Sequence, residues 1–203
     1  GRRELLLATV DCQIDGVHFL RREATAAQIG RRALAINLSD IAAMGGSPEH
    51  ALISLALPPD TEVEWVEDLY RGFREEAQRS GTAIIGGNMA RSPGGLQIHI
   101  TVLGRVPREH LLLRSGARVG DRVLVTGAIG ESAAGLQLLL DPSLDMPPAD
   151  RERLLSRYRT PTPRLRDSEA IARLRAATAM IDISDGFGSD AGQICQQSGT
   201  GVR

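Results

Sequence analysis

The run Leu5-Leu6-Leu7-Ala8-Thr9-Val10 leads straight into Asp11. Such a run reads as a buried strand. A carboxylate at the end of a buried strand costs free energy unless it meets a cation or hydrogen-bond donors. The strand must therefore form one wall of a polar site. Four clusters downstream have the same character: Asn37-Leu38-Ser39-Asp40, Gly86-Gly87-Asn88, Arg114-Ser115-Gly116 and Asp182-Ile183-Ser184-Asp185. Together these residues are expected to converge on magnesium and the phosphates of a nucleotide.

The chain has 203 residues, room for one large domain or two small ones. Its hydrophobic content of 42% and charged content of 24% are those of a soluble globular protein. A formal net charge of -1 offers no basic field for nucleic acid. No apolar run is long enough for a spanning helix, so no membrane partner is expected, and no signal peptide is visible. The chain opens without Met, inside what reads as a domain, so further residues are expected before it. Cys12 and Cys195 do not make a disulfide framework, which points to a reducing cytoplasm. Both sit in apolar patterns and read as buried core thiols. Every basic residue is Arg, and there is no lysine. That excludes a Walker-type phosphate loop, a protein-kinase strand lysine and Schiff-base chemistry within this segment.

Residues 24–44 carry apolar positions at Ile29, Leu34, Ile36, Leu38, Ile41 and Met44, which predicts a long helix stopped by Gly45-Gly46 and Pro48. Asn37 and Asp40 are three apart and share a face, so they must point at something polar. A strand over 51–57 and an amphipathic helix over 62–79 follow. A short strand over 82–85 runs into Gly86-Gly87-Asn88. Another strand spans 96–106, with antiparallel pairing expected around Pro93-Gly94-Gly95. A connection over 111–120 separates this from a second unit. There, strands are expected at 122–126 and 179–183, helices at 132–140, 151–159, 163–175 and 186–197, and a loop at 141–150. The fold class is therefore α/β in two parts, 1–112 and 113–203, the second incomplete.

Alternation sends Asp182 and Ser184 to one side, with Asp185 starting a helix. Taken alone, that stretch serves equally as a helix N-cap or as a set of oxygen ligands for a hard cation. Asp11 and Asp40, also set among apolar residues, tilt the balance to metal. Gly86-Gly87 lets backbone approach an anion, or is a plain turn. Arg114 can clamp phosphate bidentately, or is a solvated surface residue. Gly127-x-x-Gly130 before a helix either holds a phosphate at the helix N-terminus or, the stronger reading, is a structural turn with Ser132 near the cap. His18 follows an Asp-Gly turn and either meets a substrate phosphate or is structural. His50, His99 and His110 have no partners at ligand spacing.

Taken together, these residues resemble thiamine-monophosphate kinase, within the superfamily of aminoimidazole-ribonucleotide synthetase, selenophosphate synthetase and the hydrogenase-maturation ATPases. The resemblance lies in Asp11 through Phe19, Asn37 through Gly45, Gly86-Gly87-Asn88 with Arg91-Ser92-Pro93, and Gly104 through Pro107. It continues through Arg114 to Ala117, Val125 through Gly135 and Asp182 through Gly186. It implies transfer of the ATP γ-phosphate onto the phosphate of thiamine monophosphate, with no covalent enzyme intermediate and no catalytic nucleophile. It implies Asp11, Asp40, Asn88, Asp182 and Asp185 as magnesium ligands. Tyr70, Gly87, Asn88, Arg114 and Ser184 would contact ATP, and His18 the thiamine monophosphate. The implied fold is a two-domain synthetase-like chain whose N-terminal mixed sheets pair across a homodimer.

Three features depart from the family pattern. A Gly-Asp-Asp-Ala-Ala stretch should precede residue 1. Asn88 stands where Asp is usual, removing one negative charge, and Val10 stands where a metal-binding hydroxyl residue is usual. The alternatives are another ATP-using member of the same superfamily or a non-catalytic nucleotide-binding relative.

Overall fold

The computed structural model describes residues 3–202. Four strands form one mixed sheet: β1 (Glu4–Ile14), β2 (Ser47–Leu57), β3 (Ala83–Arg91) and β4 (Gln97–Pro107). Their order across the sheet is β1-β4-β2-β3. Helix α1 (Ala26–Ala43) joins β1 to β2, and α2 (Val63–Ser80) crosses from β2 to the parallel β3. A parallel pair needs such a crossover. β4 then lies antiparallel between β1 and β2.

Local chemistry explains the helix boundaries. Thr25 and Gln28 form a reciprocal capping box at the start of α1. Gly81 ends α2 in the left-handed conformation at φ 71, a geometry glycine adopts at no steric cost. The two helices lie against each other at glycines. A β-carbon on Gly72 would stand 2.7 Å from the carbonyl carbon of Ala27, and one on Gly30 would stand 3.1 Å from Phe73 N.

Period-two alternation divides the sheet into two faces. Leu7, Thr9, Asp11 and Gln13 share a face with Ile98, Ile100 and Val102, and with Ala51, Ile53 and Leu55. That face carries the core, closed by Leu34, Leu38, Ile41, Leu69 and Phe73 of α1 and α2. Among the described residues, no helix packs on the other face. Leu6 and Val10 there are 70% and 65% exposed.

Beyond β4 come α3 (Glu131–Leu140), α4 (Pro148–Arg159), α5 (Leu165–Arg173) and α6 (Phe187–Ser198). Helix α5 docks on α1 through a hydrogen bond from Ser168 to the Ala42 carbonyl. None of the described helices is long and apolar enough to cross a membrane.

Several expectations are corrected. No hairpin forms around Pro93-Gly94-Gly95, because β2 lies between β3 and β4. Strand β3 does not stop at Gly86 but continues through Gly87 and Asn88, paired in parallel with Ile53 and Ser54. Gly87 is needed there because a β-carbon would stand 2.6 Å from the Ile53 carbonyl carbon. Residues 122–126 and 179–183 are not strands, and Val123 and Leu124 are exposed. Their apolar pattern has no neighbouring strand among the described residues. The loop expected over 141–150 is cut short by α4, which starts with Pro148 in its first turn, where a missing N–H costs nothing. Cys12 and Cys195 are half-buried rather than core.

Candidate metal and nucleotide site

Helix α1 is the element that builds the site on β1. Asn37 is fully buried, and its Oδ1 accepts from the Asp11 backbone N–H at 3.1 Å. Its Nδ2 donates back to the Ala33 carbonyl at 3.0 Å. One turn on, Asp40 accepts from the Thr9 hydroxyl at 2.5 Å. The polar face of α1 thus meets the polar end of β1.

A third carboxylate, Asp182, comes from the segment before α6. Burial raises the pKa of Asp11, the charge of Asp182 adds to it, and His18 opposes both. Burial also raises the pKa of Asp40, against the Thr9 hydrogen bond and the nearby Arg114 guanidinium; Asp11 pushes it further up. Asp182 is raised by burial and then by Asp40, while a hydrogen bond from Ser39 pulls the other way. Three half-buried carboxylates within mutual electrostatic reach are a hard-oxygen donor set that favours a small divalent cation. Among the described residues, no three His, Cys, Asp or Glu side chains are grouped so that they could hold a metal ion by themselves. A cation here would take a few carboxylate oxygens and fill its shell with phosphate oxygens and water, as magnesium does.

His18 lies on the exposed loop after β1. Its Nδ1 accepts from the Ile14 N–H at 3.1 Å, which leaves the Nε2–H of the neutral ring free to donate. Arg32 of α1 donates to the His18 carbonyl at 3.3 Å and also bonds the Tyr158 carbonyl. Its guanidinium stacks on the Tyr158 ring at 4.5 Å, tying this loop to the end of α4.

Arg114 reaches the cluster from the connection after β4, with Nη1 donating to Gln193 Oε1 at 2.8 Å. Ser184 and Asp185 are exposed on the loop before α6. The backbone N–H groups of both are held by Asp190, at 3.0 and 3.1 Å.

The remaining sequence-derived residues lie elsewhere. Gly87 and Asn88 sit on β3 at the opposite edge of the sheet. Asp11, Ile100, Ile53 and Gly87 follow one another across the four strands. Three strand spacings put β3 roughly 14 Å from β1. Tyr70 of α2 is on that side too, edge-on to Phe73 at 5.4 Å. It lines a cavity of ≈ 460 Å³ with Arg74, Gln78, Thr82 and Ile84. Within one chain the structure brings together Asp11, Asp40, Asp182, Arg114 and His18, with Ser184 and Asp185 on the adjoining loop. It does not bring Tyr70, Gly87 or Asn88 to them.

Sequence reasoning missed Thr9 and Asp190. Thr9 is hidden inside an apolar run. Asp190, 1% exposed, looks in sequence like an ordinary acid of a first helical turn, and its position four residues after a Ser-Asp-Gly bend is the only signal.

Residues 1–106 match the family described as AIR synthase related protein, N-terminal domain. The thiamine-monophosphate kinase of Aquifex aeolicus (strain VF5) is 40% identical over 197 residues, covering 97% of this chain and 62% of that protein. The thiamine-monophosphate kinase of Escherichia coli (strain K12) is 36% identical over 201 residues, covering 99% of this chain and 60% of that protein. A solved structure described as AaThiL complexed with AMPPCP and TMP superposes with a TM-score of 0.89 at 38% identity, over 97% of this chain and 62% of that chain. The hydrogenase maturation protein HypE in complex with ATP superposes with a TM-score of 0.73 at 16% identity, over 96% of this chain and 56% of that one, and so shares the fold alone. The chain spans about 60% of the length of these curated relatives. With more than half its residues matching that family, the chain belongs to the AIR synthase related proteins.

Proposed function

We propose that the full-length protein phosphorylates thiamine monophosphate to thiamine diphosphate, using ATP and magnesium, by direct in-line transfer. The observation that carries this is the trio Asp11, Asp40 and Asp182, half-buried, mutually repelling, and flanked by Arg114 and His18. The names of the relatives, and the AMPPCP and TMP in the AaThiL complex, support the choice of substrates.

An oxygen of the thiamine monophosphate phosphate attacks the γ-phosphorus of ATP. The new P–O bond forms as the bond to the β,γ-bridging oxygen breaks, and ADP leaves. No side chain need act as a nucleophile, so the work is positioning and charge neutralisation. Magnesium, when bound, neutralises phosphate charge and aligns the reacting oxygens. Asp11, Asp40 and Asp182 would hold it, with Asp185 and Asn88 as further oxygen donors. Arg114, with its planar set of donors, would clamp ATP phosphate, and Ser184 would add a hydroxyl. The Nε2–H of His18 would donate to the phosphate of thiamine monophosphate.

Tyr70, Gly87 and Asn88 would complete the site from a second copy. Among the described residues, both edges of the sheet, β1 and β3, are unpaired and one face carries no helix and exposes Leu6 and Val10. A two-fold partner that lays its β3 beside β1 would close the edges and cover that face. Residues 1–112 would then form the nucleotide, metal and dimerisation unit, and 113–203 part of a second domain. A reducing cytoplasm suits the two free cysteines.

The test supplies the full-length protein with ATP and magnesium and offers thiamine monophosphate and thiamine in parallel. Thiamine diphosphate is followed by fluorescence after oxidation. Product from the monophosphate alone is the expected result, and absence of product would overturn the reading. Asp40→Ala and Asp185→Ala should each abolish ADP formation with the circular dichroism spectrum unchanged; retained turnover would sink the metal role of that residue.

A further inference from the structure

Two loops bring the C-terminal half to the carboxylate cluster, residues 114–117 and residues 182–186, and both are tied to α6. One carboxylate oxygen of Asp190 accepts from three backbone N–H groups, those of Ser184 at 3.0 Å, Asp185 at 3.1 Å and Gly186 at 3.1 Å. Nearly one turn on, Gln193 Oε1 accepts from Arg114 Nη1 at 2.8 Å. Further along, the Ser198 hydroxyl accepts from the N–H groups of Gly116 and Ala117, each at 3.1 Å, and donates to the Arg114 carbonyl at 3.2 Å.

We propose that α6 is a positioning bracket. Resting on the functional reading above, Asp190, Gln193 and Ser198 hold the metal-binding Asp182 loop and the phosphate-binding Arg114 at a fixed distance from each other. None of the three touches substrate; each acts through another residue.

The chemistry of each position fits that role. Three amides converging on a buried carboxylate in the first turn of a helix make charge-assisted bonds reinforced by the helix dipole. Those amides are consequently committed to the protein and do not form an anion nest. Whatever the loop offers a phosphate must come from side chains, namely the Ser184 hydroxyl and the Asp182 carboxylate, which would act through a cation. At position 193 a neutral amide restrains the guanidinium through one of its five donors and leaves its full charge for phosphate. A carboxylate there would fix Arg114 as firmly but compete with the ligand. Ser198 holds the backbone under Arg114, so both ends of that residue are anchored to the same helix.

The experiment uses the full-length protein and two readouts. The first is calorimetric binding of AMPPCP with magnesium. Gln193→Glu should weaken it about tenfold and Gln193→Ala by a few fold, the size of a charge-assisted hydrogen bond. Thiamine monophosphate affinity and the melting temperature should stay at wild-type values, a split that a merely structural role would not give. The second is amide hydrogen exchange. Asp190→Asn, which keeps an acceptor oxygen and so preserves the fold, should speed exchange at residues 184–186 about tenfold, and Ser198→Ala should do the same at 116–117. Wild-type nucleotide affinity in Gln193→Glu, or unchanged exchange in Asp190→Asn, overturns the bracket. If the wild type fails to turn over thiamine monophosphate, the functional reading falls while the exchange pattern still judges the bracket.

Discussion

The close crossing of α1 and α2 makes a sharp prediction for Gly72→Ala. In an ordinary helix, Ala in place of Gly gains about 0.5–1 kcal/mol. Here the added β-carbon would stand 2.7 Å from the Ala27 carbonyl carbon and 2.8 Å from its Cα, and would overlap the carbonyl oxygen. Carbon atoms pack at about 3.5–4.0 Å, so the helices must part by about 1 Å. Backbone meets backbone, and no flexible side chain can give way. The overpacking cost should therefore lie near the upper end of about 1–3 kcal/mol. The net destabilisation is about 2 kcal/mol, or a fall in melting temperature of roughly 4–8 °C for a chain of this size. Thermal denaturation followed by circular dichroism measures it. Gly192→Ala in α6 is the control, since nothing lies within 4 Å of its β-carbon. That variant should gain about 0.5–1 kcal/mol. A Gly72→Ala protein as stable as its parent would show that the helices do not meet through backbone at this point.

Three further outcomes test the site. Burial and then Asp40 raise the folded pKa of Asp182 above its ordinary value. Such a carboxyl favours the fold below its unfolded pKa, and that contribution is lost as pH rises through the folded pKa. Without metal, the melting temperature of Asp182→Asn should therefore pull ahead of wild type as pH rises from the ordinary carboxylate range to neutrality, and a gap that stays constant would refute the repulsion. If Asn88 of a second copy reaches the site, Asn88→Asp should add a negative charge there and lower the magnesium concentration needed for half-maximal activity; an unchanged magnesium curve would remove Asn88 from the ligand set. If the site is shared between two copies, inactive Asp40→Ala and inactive Tyr70→Ala chains, co-refolded in equal amounts, should recover about a quarter of wild-type activity. Half the dimers are then mixed, each with one intact site of its two. No recovery would place Tyr70 and Asp40 in the same chain's site.

The legible parts of this protein were those written in local pattern. The apolar period and the Gly45-Gly46 stop predict α1, and alternation predicts β4. Asp11, Asp40 and Asp182 stand out because each is a carboxylate among apolar neighbours. What was not legible depends on contacts distant in sequence. Nothing near Pro93-Gly94-Gly95 signals that β2 will lie between the strands it separates. Gly86-Gly87 looks like a turn because its reason, the backbone of Ile53 alongside, lies more than thirty residues earlier. Val123 and Leu124 have strand-like character but no partner strand within the described residues. Asp190 leaves only a faint trace in sequence because its three partners are backbone amides, which every residue except proline possesses.

The pairing of β1 with β4 sets a timetable for synthesis. Register runs from Glu4 opposite Pro107 to Ile14 opposite Gln97, so partners are separated by on the order of 90 residues. At about 5–20 residues per second, β1 leaves the ribosome roughly 5–20 s before β4 exists. During that interval α1, β2, α2 and β3 can assemble from nearer neighbours, while β1 waits with Leu6 and Val10 bare. Asp11 is carried on that waiting strand. The strand that carries Asp11 is thus made before the other three and is the last to enter the sheet, and a translational stall between residues 14 and 97 prolongs the time that its sticky edge stands open to other nascent chains.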